Sequence, residues 1–385
     1  MPSLKKTTFF IATFGCRLNQ AESRMIGQSL VNTGFSPLKS YYQAQIVIIN
    51  SCCVTKKASK EVRQIIRRVK RKNPDCFLVV AGCWVDKIKN QQLRRKNKDI
   101  NNKVVKFIDL LINNKQKNKL KEILKEKINY LKIKPADKQS YNDKYSRSKK
   151  ALVKVQDGCN NFCSYCIVPF LRGRSKSRPV KEVIKEIKQK TKEGIKEVIL
   201  TGVDIADFKL KNKNKKTSND LADLIKLICQ QTKIKKISFG SVGLKIFNQD
   251  FLVLYRSTQS SRLTTHFHIP LQSGCNSTLA RMGRGYKTEE FLKTIKVLKE
   301  SIPQFRFSTD IIVGFAGETK TEFKQTITTI KKLKKILGET FVGAHVFRYS
   351  SRAGTLASKM IDKGEWKKVK EEEKKKRSKI IKQLV

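Results

Sequence analysis

The sequence predicts an α/β protein, an N-terminal flavodoxin-like parallel sheet followed by a partial (β/α)6 barrel. Three observations predict it. Short apolar runs alternate with amphipathic helical stretches along most of the chain, the order that parallel sheets wrapped by helices produce. Small residues and cysteines recur just past the predicted strands, at Gly15-Cys16, Ser51-Cys52 and Gly82-Cys83. A stretch built from Lys, Asp, Ser, Asn and Gln, residues 135–149, interrupts the alternation and reads as a linker. With 385 residues there is chain enough for two domains. The expected division is 1–134, the linker 135–149, a barrel domain over 150–364 and a charged C-terminal helix over 365–385.

Each element has a local reason. Thr7 to Phe14 is β-rich and stops at Gly15; Asn19 to Val31 has helical spacing and is closed by Gly34. The run Gln45 to Asn50 is a second strand, followed by a helix from Ala58 to Lys72 with Val62, Ile65, Ile66 and Val69 on one face before Pro74. Cys76 to Ala81 is a third strand. Val104 to Leu111 is expected to be another, and Leu120 to Leu131 another helix. From Ala151 onward the expected strands are 152–156, 197–201, 235–239, 266–270, 306–313 and 342–347, with helices over 180–191, 220–231, 289–300 and 318–335 between them. Six βα units make an open barrel, whose chemistry belongs on the loops at the C-terminal ends of the strands.

Charge bounds the partners. There are 84 Lys and Arg against 32 Asp and Glu, a surplus of +52 that favours a polyanion such as RNA or DNA. A Lys and Asn bias spread as solvated surface, as in Lys209 to Lys216, accounts for the same surplus, and composition leaves both readings open. No leader with an apolar core precedes the first strand, and no run of about 18 apolar residues could span a membrane. The expectation is a cytoplasmic protein without a membrane partner. In a reducing compartment ten cysteines are metal ligands or catalysts more often than disulfides.

Cys159, Cys163 and Cys166 lie on the loop after the first barrel strand, at offsets of four and three residues. Three thiolates so spaced can converge on an iron-sulfur cluster and leave one of four irons open to an external chelator. A zinc site would want a fourth ligand close by, and the next cysteine is Cys229. Cys16, Cys52 and Cys83 are far apart in sequence, but each follows a predicted parallel strand, so all three are expected at one edge of one sheet. Cys53, Cys76, Cys229 and Cys275 are expected to be packing residues.

The run Cys159-Asn-Asn-Phe-Cys163-Ser-Tyr-Cys166 resembles the radical S-adenosylmethionine superfamily, with Tyr165 in its aromatic slot. Further motifs are Gly15-Cys-Arg-Leu-Asn-Gln20, Asn50-Ser-Cys-Cys-Val-Thr55, Gly82-Cys83, Pro270-Leu-Gln-Ser-Gly274, Asp310-Ile-Ile-Val-Gly-Phe-Ala-Gly-Glu318 and Tyr349-Ser-Ser-Arg-Ala-Gly-Thr355. Together these resemble the methylthiotransferases over nearly the full length. Gly15 to Gln20, Val54-Thr55 and His345-Val-Phe-Arg-Tyr-Ser-Ser-Arg352 look most like the MtaB-like branch. The resemblance implies two 4Fe-4S clusters, on Cys159, Cys163 and Cys166 and on Cys16, Cys52 and Cys83, with S-adenosylmethionine as co-substrate. It implies a radical that removes hydrogen from C2 of N6-threonylcarbamoyladenosine in the tRNA anticodon stem-loop, where a methylthio group is added. It also implies a low-potential electron donor and a sulfur source. The same chemistry on isopentenyladenosine or on a ribosomal-protein aspartate, or a non-catalytic electron-transfer module, are the alternatives.

The resemblance further nominates Tyr165, Gly202, Asp204, Gly314 and Gly317 as cofactor-binding. Relatives usually carry an acidic residue and a proline after the third barrel strand; this chain reads Ser238 to Leu244 there, and Ser241 takes that place. Relatives also end in a small β-barrel TRAM domain that grips tRNA, whereas this sequence stops at Val385, and the +52 charge is the expected compensation. His266 and His268 are expected to be structural. Arg172, Arg174 and Arg178 are either phosphate contacts or ordinary surface charges.

Overall fold

The computed structural model describes residues 7–93, 102–128, 149–210, 220–257 and 260–385. It divides into two compact units, Met1–Ser148 with Phe170–Arg172, and Lys149–Pro169 with Gly173–Val385. Of the expected linker only Lys149 falls within the described residues, and the tail of the expected helix over 120–131 also lies outside them.

The first unit runs β1 (Thr8–Thr13), α1 (Arg17–Val31), β2 (Ser36–Pro37), β3 (Ile46–Ser51), α2 (Lys56–Lys72), β4 (Phe77–Gly82), α3 (Cys83–Leu93), α4 (Asn102–Val105), β5 (Leu110–Ile112) and α5 (Leu120–Ile128). Its five strands are parallel in the order β2-β1-β3-β4-β5. This is the flavodoxin order, in which the winding reverses between β1 and β3 and the crevice beyond their C-terminal ends receives ligands. Every residue of β3 is buried, as a central strand covered on both faces requires. Helix α2 shows why the chain folds so: Val62, Ile66 and Val69 are wholly buried while Arg67, Arg68 and Arg71 are exposed, and the Thr55 hydroxyl caps it by accepting from Ala58 N at 3.0 Å.

The expected strand over 104–111 is corrected. Residues 102–105 are helical, a turn follows, and the strand is only Leu110–Ile112. The Asp109 carboxylate accepts from Leu78 N at 2.7 Å and from Lys70 Nζ at 3.1 Å, so a side chain replaces a ladder acceptor and pairing begins one residue later.

The second unit runs β6 (Lys150–Lys154), β7 (Gln156–Asp157), α6 (Val168–Arg172), β8 (Lys176–Ser177), α7 (Val180–Lys192), β9 (Glu197–Thr201), α8 (Asp220–Gln231), β10 (Lys236–Phe239), α9 (Gln249–Arg256), β11 (His266–His268), α10 (Asn276–Arg281), α11 (Thr288–Ser301), β12 (Arg306–Val313), α12 (Lys320–Leu337), β13 (Phe341–Arg348), α13 (Leu356–Asp362) and α14 (Glu371–Leu384), the last three residues of α6 counting with the first unit. Strands β6, β9 and β10 pair in parallel, as do β11, β12 and β13. Parallel bridges Ile237↔Leu263 and Ser241↔His268 join the two sets into one six-stranded sheet. Among the described residues β13 does not pair with β6, so the barrel stays open. Helices cover one face, where Phe267, Phe307, Ile311 and Val313 are wholly buried; on the other face of the same strands His266, His268, Ser308 and Asp310 remain partly or fully accessible. Helix α14 is no appendage. Ile381 is fully buried against Ile311 and Val313, Arg377 pairs with Glu318 at 2.6 Å, and Lys374 Nζ donates to Tyr349 O at 3.0 Å.

Candidate iron-sulfur sites

In the first unit the turn after β1 is seated on Cys52. Gly15 has φ +94°, and a Cβ there would lie 2.5 Å from Cys52 Cβ and 2.6 Å from its Sγ. Only glycine permits that approach with that backbone. Cys16 is the N-terminal flanking residue of α1 and is exposed, while Cys52 and Cys83 are buried. Polar side chains hold the three strand ends in register. Asn19 Nδ2 donates to Phe14 O at 2.8 Å and Ser51 O at 3.0 Å, which ties the Cys16 turn to the end of β3. Ser51 Oγ donates to Ala81 O at 2.5 Å and accepts from Trp84 N at 3.3 Å, which ties the end of β3 to Cys83. Burial pushes the Cys52 thiol up to about 11; the Val54 N–H opposes this, and Cys83 and Cys16 add to it. The Cys52 thiol therefore stands in the field of the other two. Cys53 is fully buried, its thiol donating to Cys83 O at 3.2 Å.

A buried ion group that sequence reading missed supports this corner. Glu22 pairs with Lys117 at 2.7 Å and with Arg172 at 2.9 Å, and all three side chains are nearly inaccessible. Arg172 also donates to Asn19 Oδ1 at 2.6 Å and its side chain is buried, so neither reading left open for it, phosphate contact or surface charge, describes it. Arg178 is likewise engaged, by Glu186 at 2.5 Å and Lys154 O at 3.0 Å, while Arg174 lies over the Phe162 ring at 4.3 Å.

In the second unit the loop from Gly158 to Ile167 carries Cys159, Cys163 and Cys166. Gly158 has φ +72°, and a Cβ there would collide with Arg174 O, so the start of the loop lies against the chain just past α6. Cys159 N donates to Gly173 O at 3.1 Å and Cys166 N to Cys163 O at 2.9 Å. Burial raises the Cys159 thiol and pushes Cys166 up to about 12, with Cys163 and Cys159 adding to the latter. Donors are already aimed at sulfur: Asn161 N at 3.5 Å from Cys159 Sγ and Arg284 Nη1 at 3.4 Å from Cys163 Sγ. Arg284 had no signal in the sequence, since 121 residues separate it from Cys163.

In neither triplet do all three sulfurs lie within 4.8 Å of one another. Zinc–sulfur bonds of about 2.3 Å place tetrahedral thiolates roughly 3.8 Å apart. Among the described residues only His268, Asp310 and His345 bring three ligand atoms within 4.8 Å of one another. Three thiols grouped more widely than that fit a larger thiolate-bound centre.

The nominated cofactor residues divide. Tyr165 packs edge-on against Phe315, ring centres 6.3 Å apart. Asp204 accepts from Asn161 Nδ2 at 2.6 Å beside the cysteine loop, and burial raises its carboxyl. The space beside Gly202 is taken by Gln156, whose Oε1 would meet a Cβ at 2.7 Å. Gln156 is a hub: its Oε1 accepts from Val203 N and Asp204 N at 3.0 and 2.9 Å, and its Nε2 donates to Gly158 O at 2.7 Å. Ser241 is exposed where β10 meets β11. Gly314 and Gly317 stand against Lys374 and Arg281, and a Cβ on Gly314 would collide with Lys374 Cγ, so those side chains fill the sides where Cβ atoms would project.

Comparison with known proteins agrees with this geometry. Residues 153–330 match the radical SAM superfamily, and residues 8–104 match a family described as uncharacterized protein family UPF0004. The tRNA-2-methylthio-N(6)-dimethylallyladenosine synthase of Clostridium tetani is 33% identical over 363 residues, 92% of this chain and 76% of that protein. The threonylcarbamoyladenosine tRNA methylthiotransferase MtaB of Bacillus subtilis is 34% identical over 358 residues, 91% of this chain and 75% of that one. Among solved structures, the radical S-adenosylmethionine methyltransferase TsrM of Kitasatospora setae superposes with a TM-score of 0.63 at 11% identity, covering 94% of this chain and 78% of that one. The cobalamin-dependent radical enzyme OxsB gives 0.61 at 13% identity, this chain spanning 61% of its length. The two structures speak for the fold alone. With both family models matched and relatives at 33–34% identity over nine-tenths of this chain and three-quarters of their own length, the chain belongs to the radical S-adenosylmethionine tRNA methylthiotransferase family.

Proposed function

We propose that this enzyme adds a methylthio group to C2 of N6-threonylcarbamoyladenosine in the anticodon stem-loop of tRNA. The observation that carries the chemistry is the gathering of three thiols in each unit, Cys16, Cys52 and Cys83 in one and Cys159, Cys163 and Cys166 in the other. We assign the six as ligands of two 4Fe-4S clusters. When bound, the second-unit cluster with S-adenosylmethionine supplies the radical that takes hydrogen from carbon, and the first-unit cluster supplies sulfur. The chain's own residues do the rest. Arg284 Nη1 donates to the sulfur of Cys163 and the Asn161 N–H to that of Cys159, which orients both sulfurs. Gln156 fixes Val203 and Asp204 against the cysteine loop, so a ligand lying on that edge meets a preset backbone. Burial of Cys52, Cys83 and Cys163 limits the access of water to those sulfurs.

The threonylcarbamoyl substrate is supported by Gly15 to Gln20 and His345 to Arg352, which resemble the MtaB-like branch. Overall identity does not separate the two named substrates, at 34% for one relative and 33% for the other. Dimethylallyladenosine is therefore the second reading. Anaerobic reconstitution followed by iron and sulfide counts tests the clusters: Cys16→Ala is expected to hold about half the iron of the parent. An unchanged count would remove the first-unit cluster. Mass spectrometry of tRNA nucleosides from cells with and without the gene decides the substrate.

A further inference from the structure

The helix-free face of β11, β12 and β13 carries a polar group that the cofactor assignment leaves unused. Barrel interiors are normally filled by branched apolar side chains. Here His268, Asp310 and His345, one from each strand, hold three ligand atoms within 4.8 Å of one another. His268 Nε2 meets Asp310 Oδ1 at 3.0 Å, and its Nδ1 meets Ser308 Oγ at 2.9 Å. Both ring nitrogens are thus engaged, and the ring is fixed. Asp310 Oδ2 and the ring nitrogens of His345 have no hydrogen-bond partner among the described residues, although Asp310 is four-fifths shielded from water. Beside them Phe347 is 47% exposed, its ring 6.4 Å from that of His345. An exposed ring next to unfilled polar groups is how proteins take a splayed-out base, by stacking on one side and hydrogen bonding on the other.

We propose that His268, Asp310 and His345, with Phe347, seat the target adenosine and select an N6 substituent that hydrogen-bonds. This rests on the methylthiotransferase reading and deepens it. The position agrees, because His268 ends β11 and bridges to Ser241 just past β10, while Asp310 and His345 pair three residues before the ends of β12 and β13, in the C-terminal half of the strands whose first, β6, leads into the cysteine loop. The chemistry agrees as well. A threonylcarbamoyl group offers N–H and O–H donors to Asp310 Oδ2 and oxygen acceptors to His345. A dimethylallyl group offers neither, and its binding would strip water from a carboxylate and an imidazole without replacing it. Sites built to hydrogen-bond reject analogues that cannot; for two partly accessible groups that is roughly 10- to 100-fold in affinity. A divalent cation on the same three groups is the weaker fit, since His268 has no ring nitrogen left over.

The test uses the full chain with both clusters reconstituted anaerobically, and three fluorescent anticodon stem-loops, alike except for threonylcarbamoyl, dimethylallyl or no substituent on the target adenosine. The parent is expected to bind the first at least roughly tenfold tighter than the second. His345→Leu and Asp310→Leu are each expected to bring the two within about threefold, while His345→Gln keeps most of the preference. Thermal unfolding of each variant guards against a folding defect, and His345 is exposed, so its truncation leaves the core intact. An undiminished preference in both leucine variants overturns the inference, as does a preference that vanishes with chelator and returns with zinc. Methylthiolation by the reconstituted parent is scored separately on each RNA. Product on the threonylcarbamoyl RNA with undiminished preference in the variants leaves the function standing and removes this site; product on the dimethylallyl RNA alone removes the substrate reading itself.

Discussion

Glu322 accepts from Arg281 through both carboxylate oxygens, at 2.8 and 2.7 Å, and from Thr319 N at 2.9 Å. Burial works to raise its carboxyl, but Arg281 and Ser277 overcome it and hold the group at about 2. Because the folded value lies below that of an unfolded carboxylate, Glu322 adds stability at neutral pH and loses it as pH falls from about 4.3 towards 2. Glu322→Gln is expected to be less stable than the parent by about 1–3 kcal/mol at pH 7, with the gap closing along the acid limb; urea midpoints across pH measure this. Gln156 makes a second case. Gln156→Leu keeps the volume but takes the partner from Gly158 O, which is buried, and from Val203 N and Asp204 N, which are half-buried. The variant is expected to lose about 1–3 kcal/mol per stranded group and to retain less iron on the Cys159 loop. Parent-like iron content would show that the hub does not position that loop.

Among the elements, those with a strong period were legible in the sequence. Strands β9 and β12 and helix α8 begin and end where alternation and helical spacing predict, because nothing but burial decides them. The boundary at β5 was not legible, because Asp109 competes for the ladder through its side chain and composition does not show which polar group will do so. The grouping of the two cysteine triplets was legible from the offsets of Cys159, Cys163 and Cys166, from the strand-end positions of Cys16, Cys52 and Cys83, and from the resemblance, whereas Arg284 and the His268 group depend on long-range contacts that only the folded chain makes. Helix α2 hides another such feature: Arg67, Arg68 and Arg71 line one surface hollow with Gln64. Replacing the three arginines by alanine is expected to weaken tRNA binding while leaving the buried face of α2, and hence stability, unchanged. The slope of log affinity against log salt is expected to flatten by roughly 0.7–0.9 for each phosphate no longer neutralised, measured by titration at several salt concentrations.

At the scale of the molecule, the +52 charge makes every RNA measurement salt-dependent, so affinities of variants compare only at one ionic strength. The same surplus makes each buried carboxylate count. Glu22→Gln leaves Lys117 and Arg172 as two buried cations with their anion gone, and is expected to cost about 3–5 kcal/mol in chemical denaturation. A cost near zero would mean that water reaches the group. That trio also has a history in time. The ribosome delivers Glu22 first, Lys117 follows 95 residues later, and Arg172 arrives 150 residues after Glu22. At roughly 5–20 residues per second the carboxylate waits about 8–30 s for its second cation. The N-terminal unit therefore finishes its core only when synthesis has passed the Cys159 loop, and the thiols of both sites are already out of the ribosome before either corner is fully closed.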